Sequence, residues 1–173
     1  MIQLGDMAKV LMCVFLLVPS IASAQKIVIL VRHAERADGG SMAPGAEKDP
    51  SLSAAGVVRA ATLAGVLADS GARAVFATEF RRTQETARPL AAKLGLTTEI
   101  VPADDTKGLV GRLARSHAND IVVVVGHTNS LPEVIKAMGG PDLTIPESEY
   151  DNLFVFIPAS RSLMRLHFGV NAK

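Results

Sequence analysis

A three-layer α/β/α sandwich with a mostly parallel sheet and an antiparallel edge strand is the fold class that this 173-residue sequence predicts. Three observations lead there. Lys26-IVILV-Arg32 and Asp120-IVVVV-Gly126 are unbroken runs of β-branched and aliphatic residues, so both faces of each strand must be covered, as in the centre of a parallel sheet. Between them, helically spaced segments alternate with short strand-like runs, the mark of βαβ units. Near the end, Met164-RLH-Phe168 alternates apolar with polar residues and reads as an edge strand.

The elements follow in order. After the first strand, Ser53 to Ser70 carries Val57, Ala60, Ala61, Ala64, Leu67 and Ala68 at helical spacing. The short strand Ala74-VFAT comes next, then a helix over Arg81 to Leu94 with Ala87, Leu90, Ala91 and Leu94 on one face, a strand near Thr98-EIV, and a weaker helix from Lys107 to His117. Beyond the valine strand, Ser130-Leu131-Pro132-Glu133 has the makings of a capping box, with Ser at the N-cap and Glu three residues on, and the helix stops at Gly139-Gly140. A strand at Leu153-FVFI and the alternating run complete the chain. Two loops are long: Ala34 to Pro50, rich in Gly and Ala, and Gly140 to Asn152, which is acidic.

Met1 to Ala24 stands apart from this pattern. Lys9, the apolar run Val10 to Val18, Pro19 and the small triplet Ala22-Ser23-Ala24 form a secretory signal pattern. The run is shorter than the roughly 20 residues that span a bilayer, and the competing reading is an uncleaved anchor. Cleavage near Ala24 leaves residues 25–173 as a single domain, periplasmic or secreted, with no stable membrane insertion. The one cysteine, Cys13, lies inside the signal, so disulfides, thiolate catalysis and cysteine zinc sites are excluded from the mature domain. A net charge of +1, one Tyr and no Trp provide neither a basic surface nor stacking platforms for nucleic acid.

The chemistry gathers at strand ends. His33 follows the first central strand and His127 follows the valine strand, and open α/β sheets bind ligands outside the carboxyl ends of their strands. Arg32 and Arg36 flank His33, and Arg82 opens the helix after Thr78. Three guanidinium forks converging on one edge fit phosphate oxygens, whereas a divalent cation would be repelled. No metal or cofactor is expected. The chain has no G-x-x-x-x-G-K-[ST], G-x-G-x-x-G or G-x-S-x-G, which leaves an imidazole as the suitable nucleophile.

Four segments carry a family resemblance. Val31-Arg32-His33-Ala34-Glu35-Arg36 resembles the R-H-G signature of the histidine phosphatase (phosphoglycerate mutase-like) superfamily, and Leu52-Ser53-Ala54-Ala55-Gly56 is similar to its L-T-x-x-G helix start. Thr78-EFRRTQE-Thr86-Ala87 resembles its S-x-x-x-R-x-x-x-T-A segment, and Val125-Gly126-His127-Thr128-Asn129 its V-G-H-S-N segment. The resemblance is to a small exported bacterial type. It implies His33 as phosphoryl-accepting nucleophile, Arg32 and Arg82 as phosphate ligands, and His127 as the residue completing the pocket. Arg36 is placed like the phosphate-binding arginine of an R-H-G-x-R pattern. Ala34 replaces the usual Gly, a change tolerated if the backbone there has no need of a positive φ.

Thr128 stands where the phytase-like branch has its acid, so the general acid must come from elsewhere. Asp105 is the preferred candidate, ahead of Asp104 and Glu133, although both aspartates are also placed to cap a helix and Glu133 to complete the capping box. His117 and His167 read as non-catalytic. The expected activity is metal-independent hydrolysis of a small-molecule phosphomonoester through a phosphohistidine. A mutase-type phosphotransferase, a phosphohistidine phosphatase and a non-catalytic phosphate-binding module are the alternatives.

Overall fold

The computed structural model describes residues 27–40 and 47–169. The predicted signal and part of the Ala34 to Pro50 loop lie outside the described residues. The elements run β1 (Ile27–Arg32), α1 (Ala54–Val66), β2 (Ala74–Thr78), α2 (Arg81–Leu94), β3 (Thr98–Val101), α3 (Thr106–Ser116), β4 (Ile121–Gly126), α4 (Ser130–Ala137), β5 (Asn152–Ile157) and β6 (Ser162–His167). They build one six-stranded sheet in the order β3-β2-β4-β1-β5-β6. β1 to β4 are mutually parallel, β5 runs antiparallel to β1, and β6 runs antiparallel to β5. The reversed strand is therefore β5, and the edge strand β6 points the same way as β1.

The aliphatic runs are covered on both faces, as their composition requires. Val28, Leu30, Phe76, Val122 and Val124 face one core with Leu109 and Leu113 of α3 and Leu131 and Ile135 of α4. Ile29, Val31, Val75, Val123 and Val125 face the other, with Leu63 of α1 and Leu90 of α2. Each such fully buried aliphatic side chain contributes about 1.5–3 kcal/mol relative to an exposed one.

Two local readings differ from the sequence pattern. In α1 the buried residues are Gly56, Arg59, Ala60, Leu63 and Ala64, while Val57 is 58% exposed. The helix is turned so that Arg59 grips the Glu35 carboxylate, with Nη2 to Oε1 at 2.6 Å. In α4 no capping box forms. Asn129 is the N-cap without a side-chain cap bond, Ser130 Oγ accepts the His127 backbone N–H at 3.1 Å, and Glu133 meets the Thr106 hydroxyl at 3.3 Å. β6 is the edge strand that the alternation predicts, with Met164 57% and Leu166 44% exposed.

Two glycines of α1 test this packing with opposite signs. A Cβ at Gly65 would meet nothing within 4 Å, so Gly65→Ala should stabilise the protein by about 0.5–1 kcal/mol through helix propensity. A Cβ at Gly56 would lie 2.3 Å from the Glu35 backbone oxygen, so Gly56→Ala should cost about 1–3 kcal/mol. Urea unfolding of the two variants measures both, and equal shifts would refute the close packing of α1 on the segment after β1.

Candidate active site

The register of two parallel strands sets up the site. Arg32 pairs with Gly126, and the His33 backbone N–H donates to the Gly126 carbonyl at 2.9 Å. His33 and His127 consequently leave neighbouring strand ends at one level, with ring centroids 5.3 Å apart at 62°. Phe80 stands edge-on to His127 at 5.2 Å. Both imidazoles are buried.

Their environments fix their protonation. His33 Nδ1 lies 2.8 Å from the Ala34 carbonyl, which can only accept, so Nδ1 carries the hydrogen and Nε2 keeps its lone pair. Burial is the main cause that lowers His33 to about 3, opposed by that carbonyl and reinforced by His127, Arg32 and Arg82. Burial, then Arg82 and Arg32, lowers His127 to about 4. Ala34 is not strained, since Arg161 is the non-glycine residue with positive φ among the described residues. Its N–H donates to Thr86 Oγ1 at 2.9 Å, which ties the turn after β1 to α2.

Arg32, Arg36 and Arg82 join the two histidines around a cavity of about 300 Å³. Each guanidinium is held by loop oxygens. Arg32 Nη1 donates to the Glu147 carbonyl at 2.6 Å and to the Glu149 carbonyl at 3.2 Å, while Nη2 meets the Glu147 carboxylate at 2.8 Å. Arg36 pairs with Asp38 at 2.6 Å and Arg82 with Asp49 at 3.5 Å. The Nε–H groups of all three arginines, by contrast, are buried without a hydrogen-bond partner. The Tyr150 ring lies 4.0 Å from the Arg32 guanidinium and the Phe80 ring 4.2 Å from that of Arg82, flattening both forks against aromatic faces.

Asp105 is not on the cavity wall. Its carboxylate caps α3, accepting the Gly108 N–H at 2.8 Å, so the cap reading prevails over the acid reading. Asp104 and Glu133 are exposed. His117 ends α3 between Asp120 at 2.9 Å and Glu99 at 3.5 Å, and His167 faces Asp151 at 3.1 Å. Glu147 and Tyr150 were not legible in the acidic loop, because no local pattern marks a loop residue that reaches a distant strand end. No group of three or more His, Cys, Asp or Glu that could hold a metal occurs among the described residues.

A family model described as the histidine phosphatase superfamily (branch 1) matches residues 28–105, which include His33 and all three arginines. Fold and site define the class, a phosphatase built on an α/β sheet. Over residues 28–105 the chain is similar to the histidine phosphatase superfamily. No curated protein sequence matches it. Among solved structures it is similar to a protein of Agrobacterium tumefaciens assigned as the phosphohistidine phosphatase SixA, at 21% identity over 84% of this chain and 98% of that one, with a TM-score of 0.63. It is also similar to a mycobacterial glucosyl-3-phosphoglycerate phosphatase complexed with VO3, at 16% identity over 86% of this chain and 100% of that one, with a TM-score of 0.59. These likenesses speak for the fold.

The lowered histidines predict how stability depends on pH. Between their folded values of about 3 and 4 and the ordinary 6.5, the unfolded chain binds more protons than the folded one. Stability from this source is complete above 6.5 and declines as pH falls through that window. Denaturation measured at several pH values should show the decline, and a His33→Gln, His127→Gln double variant should lose less on acidification than the parent. An equal acid slope in parent and variant would contradict neutral burial of the pair.

Proposed function

We propose that the protein is a metal-independent phosphomonoesterase that works through a phosphohistidine on a small phosphorylated substrate. The observation that supports it best is that Arg32, Arg36 and Arg82 line one cavity with His33, an imidazole whose Nε2 lone pair is free. A phosphoryl group is an anion with three equatorial oxygens for the guanidinium donors. In this reading His33 Nε2 attacks phosphorus in line, the ester P–O bond breaks, and charge on the equatorial oxygens is stabilised by Arg32, Arg36 and Arg82, with His127 completing the pocket. Water then cleaves the N–P bond, releasing phosphate and restoring His33. Because the outer Nη groups are already held by Glu147, Asp38 and Asp49, the arginine forks need little reorganisation on binding.

Export belongs to the same proposal. The signal pattern of residues 1–24 supports a periplasmic or secreted protein with a single domain over 25–173, and β1 begins at Ile27, so cleavage near Ala24 would leave the sheet intact. A second reading, hydrolysis of phosphoramidates such as phosphohistidine, is favoured by the engagement of Asp105 as a helix cap, which removes the preferred carboxyl acid from the cavity.

Rapid quenching with [³²P]-labelled phosphomonoester should trap an acid-labile, base-stable label on the parent and none on His33→Ala, whose turnover should fall by about 10³-fold or more. Excess EDTA should leave the rate unchanged, and a loss restored by Zn²⁺ or Mg²⁺ would point to metal-assisted hydrolysis instead. Asp105→Ala should cost about 1 kcal/mol of stability through the lost cap and leave the ratio of alkyl to aryl phosphate rates as it was. A selective loss on alkyl phosphates in that variant would restore Asp105 as the acid.

A further inference from the structure

Two hydroxyls buried behind His127 have no part in the mechanism above. Thr78, the last residue of β2, places Oγ1 2.9 Å from His127 Nε2 and 2.8 Å from Thr83 Oγ1. Thr83, in the first turn of α2, is completely buried, and its Oγ1 lies 2.7 Å from the Phe80 carbonyl and 3.0 Å from the Thr78 carbonyl.

Counting protons gives this chain a direction. A hydroxyl has one hydrogen to donate, and a carbonyl can only accept. The Thr83 hydrogen goes to a carbonyl, so Thr83 Oγ1 accepts from Thr78. The Thr78 hydrogen is thereby used, and Thr78 Oγ1 can only accept from His127, whose Nε2 must carry hydrogen. Nδ1 is then the bare nitrogen. It has no protein partner among the described residues, is not among the sealed orphan atoms, and belongs to a ring that lines the cavity.

We propose that Thr83 and Thr78 are positioning residues that hold His127 in its Nε2–H form, so that Nδ1 meets the cavity as a proton acceptor. The groups packed around this imidazole agree with a neutral ring: it is buried, Arg82 and Arg32 oppose a positive charge, and the His33 and Phe80 rings offer no negative charge to balance one. The use of this nitrogen rests on the phosphatase reading; the tautomer does not. A phosphomonoester bound as its monoanion brings a P–OH hydrogen, which Nδ1 takes. As His33 Nε2 bonds to phosphorus and the ester P–O bond breaks, Nδ1 returns that proton to the departing oxygen, releasing an alcohol and neutral His127. This supplies the proton that Asp105, engaged as a cap, does not.

Long-range ¹⁵N–¹H correlation spectra of the full chain, with His127 identified through His127→Gln, read the tautomer without turnover. The parent should show a protonated Nε2 and an unprotonated Nδ1. Thr83→Ser should preserve that state. Thr83→Val removes the acceptor for the Thr78 hydrogen, which then turns to His127 Nε2 and shifts the ring towards Nδ1–H. With an alkyl phosphate, kcat should fall by about tenfold in Thr83→Val with KM little changed, and recover in Thr83→Ser. Should Thr83→Val fail to fold, Thr78→Val makes the same test, since it strips Nε2–H of its acceptor and favours Nδ1–H. A parent that carries Nδ1–H, or a native-like Thr83→Val spectrum with unaltered His127 nitrogens, overturns the relay. Intact tautomer behaviour in a protein that cleaves no phosphate ester would uphold the relay and defeat the phosphatase reading.

Discussion

The parallel pairing of β1 with β4, closed at its upper end by the His33 N–H on the Gly126 carbonyl, is the constraint on which the site depends. A strand's side chains alternate faces, so a slip of one residue would exchange the two cores and move one histidine away from the other. Both strands are apolar on both faces, and such runs do not choose a register by amphipathicity. What chooses it is packing: Phe76, Leu30 and Phe154 fill one layer while Val31, Leu63 and Leu90 fill the other. The cores are therefore also the device that places two imidazoles 5.3 Å apart.

Around that pair the protein accepts an electrostatic burden. Two histidines and three arginines share one concavity, and the arginines gain counter-charges from loop carboxylates: Glu147, itself on the cavity wall, for Arg32, Asp38 for Arg36, Asp49 for Arg82. Burial first, and then the neighbouring arginines, keeps both histidines neutral beside a cluster of cations, which suits a site for an anion. Residues 141–151, without a regular element, supply the backbone carbonyls that fix Arg32. The loop thus shapes the site even where its side chains do not enter it.

Much of this was open to a reading of the chain alone. Continuous aliphatic runs identified the central strands, and helical spacing placed α2 within its observed limits of Arg81 and Leu94. The chemistry of His33, His127, Arg32, Arg36 and Arg82 was visible because each stands at a strand end or helix start, where direction follows from local structure. The exposed flank of α1 was read wrongly because the helix rotates to satisfy a long-range partner, Glu35, that spacing cannot reveal. The capping box at Ser130 failed for a similar reason, since the His127 N–H claimed its hydroxyl.

What the sequence by itself determined is the class of the fold and the identity of the arginines and imidazoles gathered at the carboxyl ends of its strands, since both follow from patterns a few residues long. Tertiary structure alone decided the partners. It gave Asp105 to α3 as a cap, brought Glu147 and Tyr150 to Arg32 across more than a hundred residues, and lined up Thr83, Thr78 and His127 from the ends of two neighbouring strands and the helix that follows the first of them. The physical reason is range. Propensity and periodicity act over one or two turns of chain, whereas hydrogen bonds and ion pairs act over a few ångströms of space, and only the folded sheet makes distant positions in the chain near in space.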